Sequence, residues 1–136
     1  MGVSRRSSSE LVVDASVAFT WFRAEEGSES AALILDQHER GELGLVVPSL
    51  LGLELVNAAA RKWRWSTGEI GALVAGLARL RLRVNDPTLD SVAAWAARGL
   101  TAYDASYVAL AEERGCQLLT ADIEILTAAP GLARPL

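Results

Sequence analysis

The chain has 136 residues, enough for one domain with a real hydrophobic core, and its composition (51% hydrophobic, 22% charged) excludes a disordered chain. The single cysteine, Cys116, excludes an intrachain disulfide and a thiolate-rich zinc site, and the single histidine, His38, excludes a mechanism built on a His–His pair. The net charge of −4 does not mark a nucleic-acid binder, although acids gathered around a metal enter such a sum as free negatives.

Residues 1–10 are polar, lack the apolar core of a signal peptide and read as a loose tail. No apolar stretch reaches the length of a membrane span, so a cytoplasmic protein with no membrane contact is expected, with one domain over 11–136. Short β-like runs then alternate with longer helical patterns. Strands are expected at 11–14, 44–47, 82–84 and 117–119, with a weaker signal at 132–134. Helices are expected at 16–23, 28–39, 49–64, 67–79, 87–98, 103–114 and 123–128. Gly41 and Gly44 bracket a turn, Pro48 precedes a helix, Asp86-Pro87 reads as an N-cap with proline at the first helical position, and Gly115 reads as a helix C-terminus. Short apolar strands separated by helices imply a parallel sheet covered on both faces.

Four acids interrupt apolar patterns. Asp14 ends Leu11-Val12-Val13, Glu54 lies in the helical stripe of Leu51, Leu55 and Ala58, Asp104 shares a face with Val108 and Ala111, and Asp122 follows Leu118-Leu119. A carboxylate in such surroundings is costly unless it is paired, hydrogen-bonded or bound to a cation. Ligands of parallel α/β folds bind at the carboxyl edge of the strands. Asp14 and Asp122 follow the first and fourth strands, and Glu54 lies early in the helix after the second. Asp104 opens a helix running back against the sheet, so all four are expected at one edge. Helix capping competes with this reading for Asp14, Asp104 and Asp122 taken singly, but not for Glu54. Acids brought together would repel one another, and a divalent metal is the simplest compensation.

These motifs together resemble the PIN-domain nucleases, in particular the VapC-type toxins. They are Val12-Val13-Asp14-Ala15-Ser16, Pro48 through Glu54-Leu55-Val56-Asn57-Ala58, Leu100 through Asp104 to Glu112, and Leu118-Leu119-Thr120-Ala121-Asp122. The resemblance covers essentially 11–136. It implies a three-layer α/β/α sandwich with a short central parallel sheet, and an endoribonuclease dependent on Mg2+ or Mn2+ that leaves a 5′-phosphate and a 3′-hydroxyl. It also implies a cognate antitoxin protein and a homodimer. The family's acidic quartet falls on Asp14, Glu54, Asp104 and Asp122. Asp14, Asp104 and Asp122 would hold the metal, and Glu54 would hold a metal-bound water or position the nucleophile. Ser16, Asn57 and Thr120 are candidates to support them, with purely local hydrogen bonding as the alternative for each.

A receiver domain or aspartyl phosphatase also gathers acids at a sheet edge, but needs a lysine near a late strand, and the one lysine here, Lys62, lies within a helical pattern. No phosphate-binding glycine loop or dinucleotide fingerprint is present. An RNA-maturation PIN nuclease and a catalytically silent PIN-fold binding module remain open. Two basic clusters, Arg61-Lys62-Trp63-Arg64-Trp65 and Arg79, Arg81, Arg83, are either solvated surface or contacts to RNA phosphates or an acidic partner. Trp21 and Phe22 either line an antitoxin groove or pack in the core. Cys116 is expected to fill space at a strand entrance, and His38 to serve a helix-terminal surface role.

Overall fold

The computed structural model describes residues 9–24 and 27–136. Strands β1 (Ser9–Val13), β2 (Leu43–Val47), β3 (Arg83–Val84), β4 (Gln117–Leu119) and β5 (Ala133–Arg134) form one parallel sheet in the order β3-β2-β1-β4-β5. The helices are α1 (Ala15–Ala18), α2 (Ser28–Glu39), α3 (Leu50–Arg61), α4 (Thr67–Arg79), α5 (Leu89–Ala96), α6 (Ala102–Arg114) and α7 (Ile123–Ala128), with a 3-10 turn at Phe19–Trp21. Successive strand residues point to opposite faces. Val12 and Val13, Leu45 and Val46, and Leu118 and Leu119 are all buried, so helices cover both faces and the fold is a three-layer α/β/α sandwich.

Each long helix turns an apolar stripe inward. In α3, Leu51, Leu55 and Ala59 recur at a spacing of four and are buried. Burying a leucine of this kind contributes about 2 kcal/mol, and Leu55→Ala would cost about 3 kcal/mol through the cavity it leaves. In α6, Ala105, Val108, Ala109 and Ala111 allow close approach to β1 and β4. Gly115 ends α6 in the left-handed conformation, φ 65°, as its glycine implied.

Several boundaries differ from expectation, for identifiable reasons. The expected helix over 16–23 starts at Ala15, because Asp14 caps it, and tightens at Phe19 into the 3-10 turn, where the Trp21 indole N–H donates to the Ala31 carbonyl of α2 (3.0 Å). The helix expected to reach residue 64 ends at Arg61. Arg64 adopts φ 56°, and the Trp65 N–H returns to the Ala59 carbonyl (2.9 Å). Asp86 does not cap its own helix. Its carboxylate accepts from the Ser49 N–H (2.8 Å) and hydroxyl (3.0 Å) at the start of α3, and Thr88 caps α5 by accepting from the Ser91 N–H.

Residues 1–8 of the expected tail lie outside the described residues, whereas Ser9 and Glu10 open β1. Glu10 forms ion pairs with Arg83 (2.8 Å) and Arg114 (2.6 Å), so one arginine of the second basic cluster serves the sheet. His38 also does more than mark a helix end. Its Nδ1 accepts from the Leu45 N–H (3.1 Å) and its Nε2 meets the Leu80 carbonyl (2.9 Å), fastening α2 to β2 and to the end of α4. Cys116 is half-buried before β4, where burial pushes its thiol pKa up.

Candidate active site

The chain leaves β1 toward β2 on one side of the sheet and leaves β4 toward β5 on the other, so a crevice opens beyond the carboxyl ends of β1 and β4. Asp14 follows β1 and Asp122 lies beyond β4. Glu54 projects from α3 and Asp104 from the first turn of α6. All four line one cavity of ≈ 370 Å³.

Asp14 is the most enclosed, 4% exposed. Its Oδ1 accepts from the Ser16 hydroxyl (2.5 Å) and the Val17 N–H (3.4 Å), and its Oδ2 from the Thr120 hydroxyl (2.5 Å). Thr120 is fully buried and its oxygen also accepts from the Asp122 N–H (2.9 Å). Ser16 accepts from the Ala121 N–H (2.9 Å), so the two hydroxyls stitch the ends of β1 and β4 together beneath the cavity. Asp14 and Asp122 are helix caps as well as cavity-lining acids, Asp122 by accepting from the Glu124 N–H (2.8 Å). Asp104 is not a cap. Thr101 caps α6 and accepts from the Asp104 N–H (3.0 Å).

The electrostatics follow from burial first and from crowding second. Burial pushes the Asp14 carboxyl pKa up, and the Asp122 charge adds to this against the hydrogen bonds from Ser16, Thr120 and Val17. Burial also raises Glu54, opposed by the Tyr107 hydrogen bond and reinforced by Asp104 and Asp14. Asp104 is raised by burial and by Asp122 and Glu124, against its hydrogen bond with Thr101. Burial is the larger cause of all three raised pKa values and the neighbouring carboxylates a smaller one, and a bound cation would lower each of them.

The donor set is oxygen-only, which suits a hard divalent ion. Among the described residues, no three His, Cys, Asp or Glu side chains converge tightly enough to form a ligand cage. Magnesium does not require one, since it is usually held by one or two carboxylates and keeps several waters. The residues therefore fit a partly hydrated ion on the cavity wall.

Asn57 is placed elsewhere. It is exposed and lines a neighbouring apolar groove of ≈ 590 Å³ with Leu50, Leu53, Val56 and Tyr103, and Glu54 divides the two spaces. Trp21 and Phe22 pack against the core rather than line the acid cavity, whose aromatic residues are Phe19, Trp63 and Tyr107. Sequence reasoning missed Tyr107, whose hydroxyl donates to Glu54 within the cavity. Its signal was its position three residues after Asp104, which puts both on one helical face. Lys62 also lines the cavity.

Comparison with known proteins bears on the family and the fold. A model of the PIN domain matches residues 11–129. The chain is 32% identical over 134 residues to ribonuclease VapC3 of Pyrobaculum aerophilum, covering 93% of this chain and 99% of that protein. The crystal structure of PAE2754 from the same organism superposes with a TM-score of 0.69 at 30% identity, covering 94% of this chain and 91% of that one. Mycobacterium tuberculosis VapC20, a sarcin-ricin loop cleaving toxin, gives a TM-score of 0.66 at 17% identity and covers 88% of this chain and 95% of its own. FitAcB from Neisseria gonorrhoeae gives 0.66 at 17% identity, with 90% and 95% covered. The last two bear on the fold alone.

Proposed function

This chain belongs to the PIN-domain family, and on that premise we propose that it is a Mg2+- or Mn2+-dependent endoribonuclease, the toxin of a toxin–antitoxin pair. The observation that carries this is the cavity at the carboxyl edge, lined by Asp14, Glu54, Asp104 and Asp122 and backed by the hydroxyls of Ser16 and Thr120. The likeness to a ribonuclease over nearly the whole chain supports RNA as the substrate.

Asp14, Asp104 and Asp122 would hold the ion, in part through its coordinated waters. When bound, it would lower the pKa of a coordinated water and neutralise the non-bridging phosphate oxygens. Ser16 and Thr120 donate to Asp14 and fix its carboxylate at the base of the cavity. Glu54, half-buried and hydrogen-bonded by Tyr107, would hold the attacking water in line and accept its proton. Hydrolysis of the P–O3′ bond by that water leaves a 5′-phosphate and a 3′-hydroxyl.

The antitoxin is proposed to cover the cavity from the adjoining apolar groove, where Leu53 is 75% and Tyr103 65% exposed. A homodimer is the proposed state of the free toxin. No helix among the described residues is long and apolar enough to cross a membrane.

Incubating the purified chain with RNA and Mg2+ or Mn2+ tests the reading. Cleavage that leaves 5′-phosphate ends and stops in EDTA is expected. Bound Mn2+ without cleavage of any RNA class would favour a silent binding module.

A further inference from the structure

We propose that Lys62 and Trp63 form a subsite for the nucleotide next to the scissile phosphate of a single-stranded RNA, with the ammonium on its phosphate and the indole against its base. The proposal rests on the endoribonuclease reading and adds two residues to it.

The acid cavity poses an electrostatic problem that its carboxylates do not solve. RNA approaches as a polyanion, and the wall it meets is acidic. Lys62 is the only cation among the described residues lining that cavity. It shares the space with four carboxylates, yet forms no ion pair with any described residue. Its ammonium is therefore available to an incoming anion, on a flexible stem suited to a phosphate point contact.

The backbone holds this lysine at the cavity mouth. Lys62 is the C-cap residue of α3, its N–H bonded to the Ala58 carbonyl (2.9 Å), and a cation is favoured at that end of a helix. Two residues on, Arg64 sits at φ 56°, a conformation that costs a side-chain-bearing residue free energy and tends to persist where a site needs it. That turn brings Trp65 back toward α3 and leaves Trp63 against Phe19.

The wall beside Lys62 is aromatic and fixed. Trp63 meets Phe19 edge-on at 5.0 Å between ring centroids and Trp65 at 5.5 Å, and the Arg23 guanidinium lies 4.9 Å from the Trp63 centroid. Arg23 covers one face of the indole, and these contacts hold the ring in place where it lines the cavity. A phosphate contact beside an aromatic surface suits an unpaired nucleotide, whose base can leave its neighbours, and not a duplex, whose bases stay stacked inside.

The test is steady-state cleavage of an unstructured oligoribonucleotide by the full chain, alongside the same strand annealed to its complement. Lys62→Ala should raise KM about 10-fold with kcat little changed, and should lower the slope of log(kcat/KM) against log salt by about 0.7, the value of one single-strand phosphate contact. Lys62→Arg should restore both. Trp63→Leu, checked for folding by its thermal transition, should raise KM as well. Unchanged KM and salt slope in Lys62→Ala, unchanged KM in Trp63→Leu, or equal cleavage of the duplex would overturn the subsite while leaving the nuclease reading intact. No cleavage of any RNA by the wild-type chain would remove both.

Discussion

The Tyr107 hydroxyl donates a hydrogen bond to the Glu54 carboxylate, tying α6 to α3 across the acid cavity. Tyr107 is buried, and desolvation together with the Glu54, Asp14 and Asp104 charges pushes its phenol pKa far up, so it remains a donor. One carboxylate oxygen of Glu54 is thereby committed to orientation and the other is left for the cavity.

Tyr107→Phe removes that tie and little else. We expect kcat to fall about 10-fold, as for other groups that orient a catalytic residue, with KM little changed and a stability loss of about 1 kcal/mol. Steady-state kinetics beside a urea melt separates the two effects. A loss of activity matched by gross unfolding would contradict a positioning role.

Thr120→Val keeps the shape of a fully buried side chain but deletes the hydroxyl that donates to Asp14 and accepts from the Asp122 N–H. Stability should drop by about 2 kcal/mol, since one of the lost bonds is to a charged group. Mn2+ affinity should weaken about 10-fold, because Asp14 is then held by Ser16 and the Val17 N–H alone. Calorimetric titration and a denaturant midpoint measure both.

The raised pKa values give a pH dependence whose sign can be worked out. Asp14, Glu54 and Asp104 hold protons in the folded chain that the unfolded chain releases near the ordinary values of 3.8 and 4.5. Their contribution to stability is full below those values and is lost as pH rises through the higher folded-state values. Glu10, lowered mainly by its hydrogen bond to Arg114, acts oppositely, so the comparison must be between variants. Without divalent ions, Asp14→Asn should melt higher than the wild type at neutral pH, with the gap closing in mild acid. Mg2+ or Mn2+ should raise the wild-type melting temperature and leave the variant nearly unmoved. Parallel melting curves across this range would refute the electrostatic account.

Asp86→Ala removes two hydrogen bonds from the start of α3. Loss of this cap in trans should cost about 1 kcal/mol, seen as a lower urea midpoint with an unchanged slope. A neutral result would mean that solvent satisfies the Ser49 N–H equally well.

What could be read from sequence divides along physical lines. The apolar runs that became β1, β2 and β4 are buried on both faces, which makes them continuous in sequence, and α2, α4 and α7 begin and end at the expected residues. The placement of the four acids around one cavity followed from topology, since strand ends and the starts of antiparallel helices share an edge. Long-range side-chain choices were not legible. Asp86 beside a proline has the pattern of a local cap, and nothing nearby shows that its carboxylate reaches Ser49. Arg61 through Arg64 have good helix propensity, so the turn at Arg64 comes from tertiary packing of Trp63 and Trp65 that propensity does not encode. Tyr107 was legible in position but not in partner, because its contact with Glu54 joins residues 53 apart in sequence.

The measurement that bears most directly on the central claim pairs Mn2+ binding with RNA cleavage in the same preparations of wild type and Asp14→Asn. The account predicts that the wild type binds the ion and cuts RNA in a manner abolished by EDTA, and that the folded variant loses both affinity and cleavage. A variant that still cuts RNA, or a wild type that cuts equally well in EDTA, would contradict it.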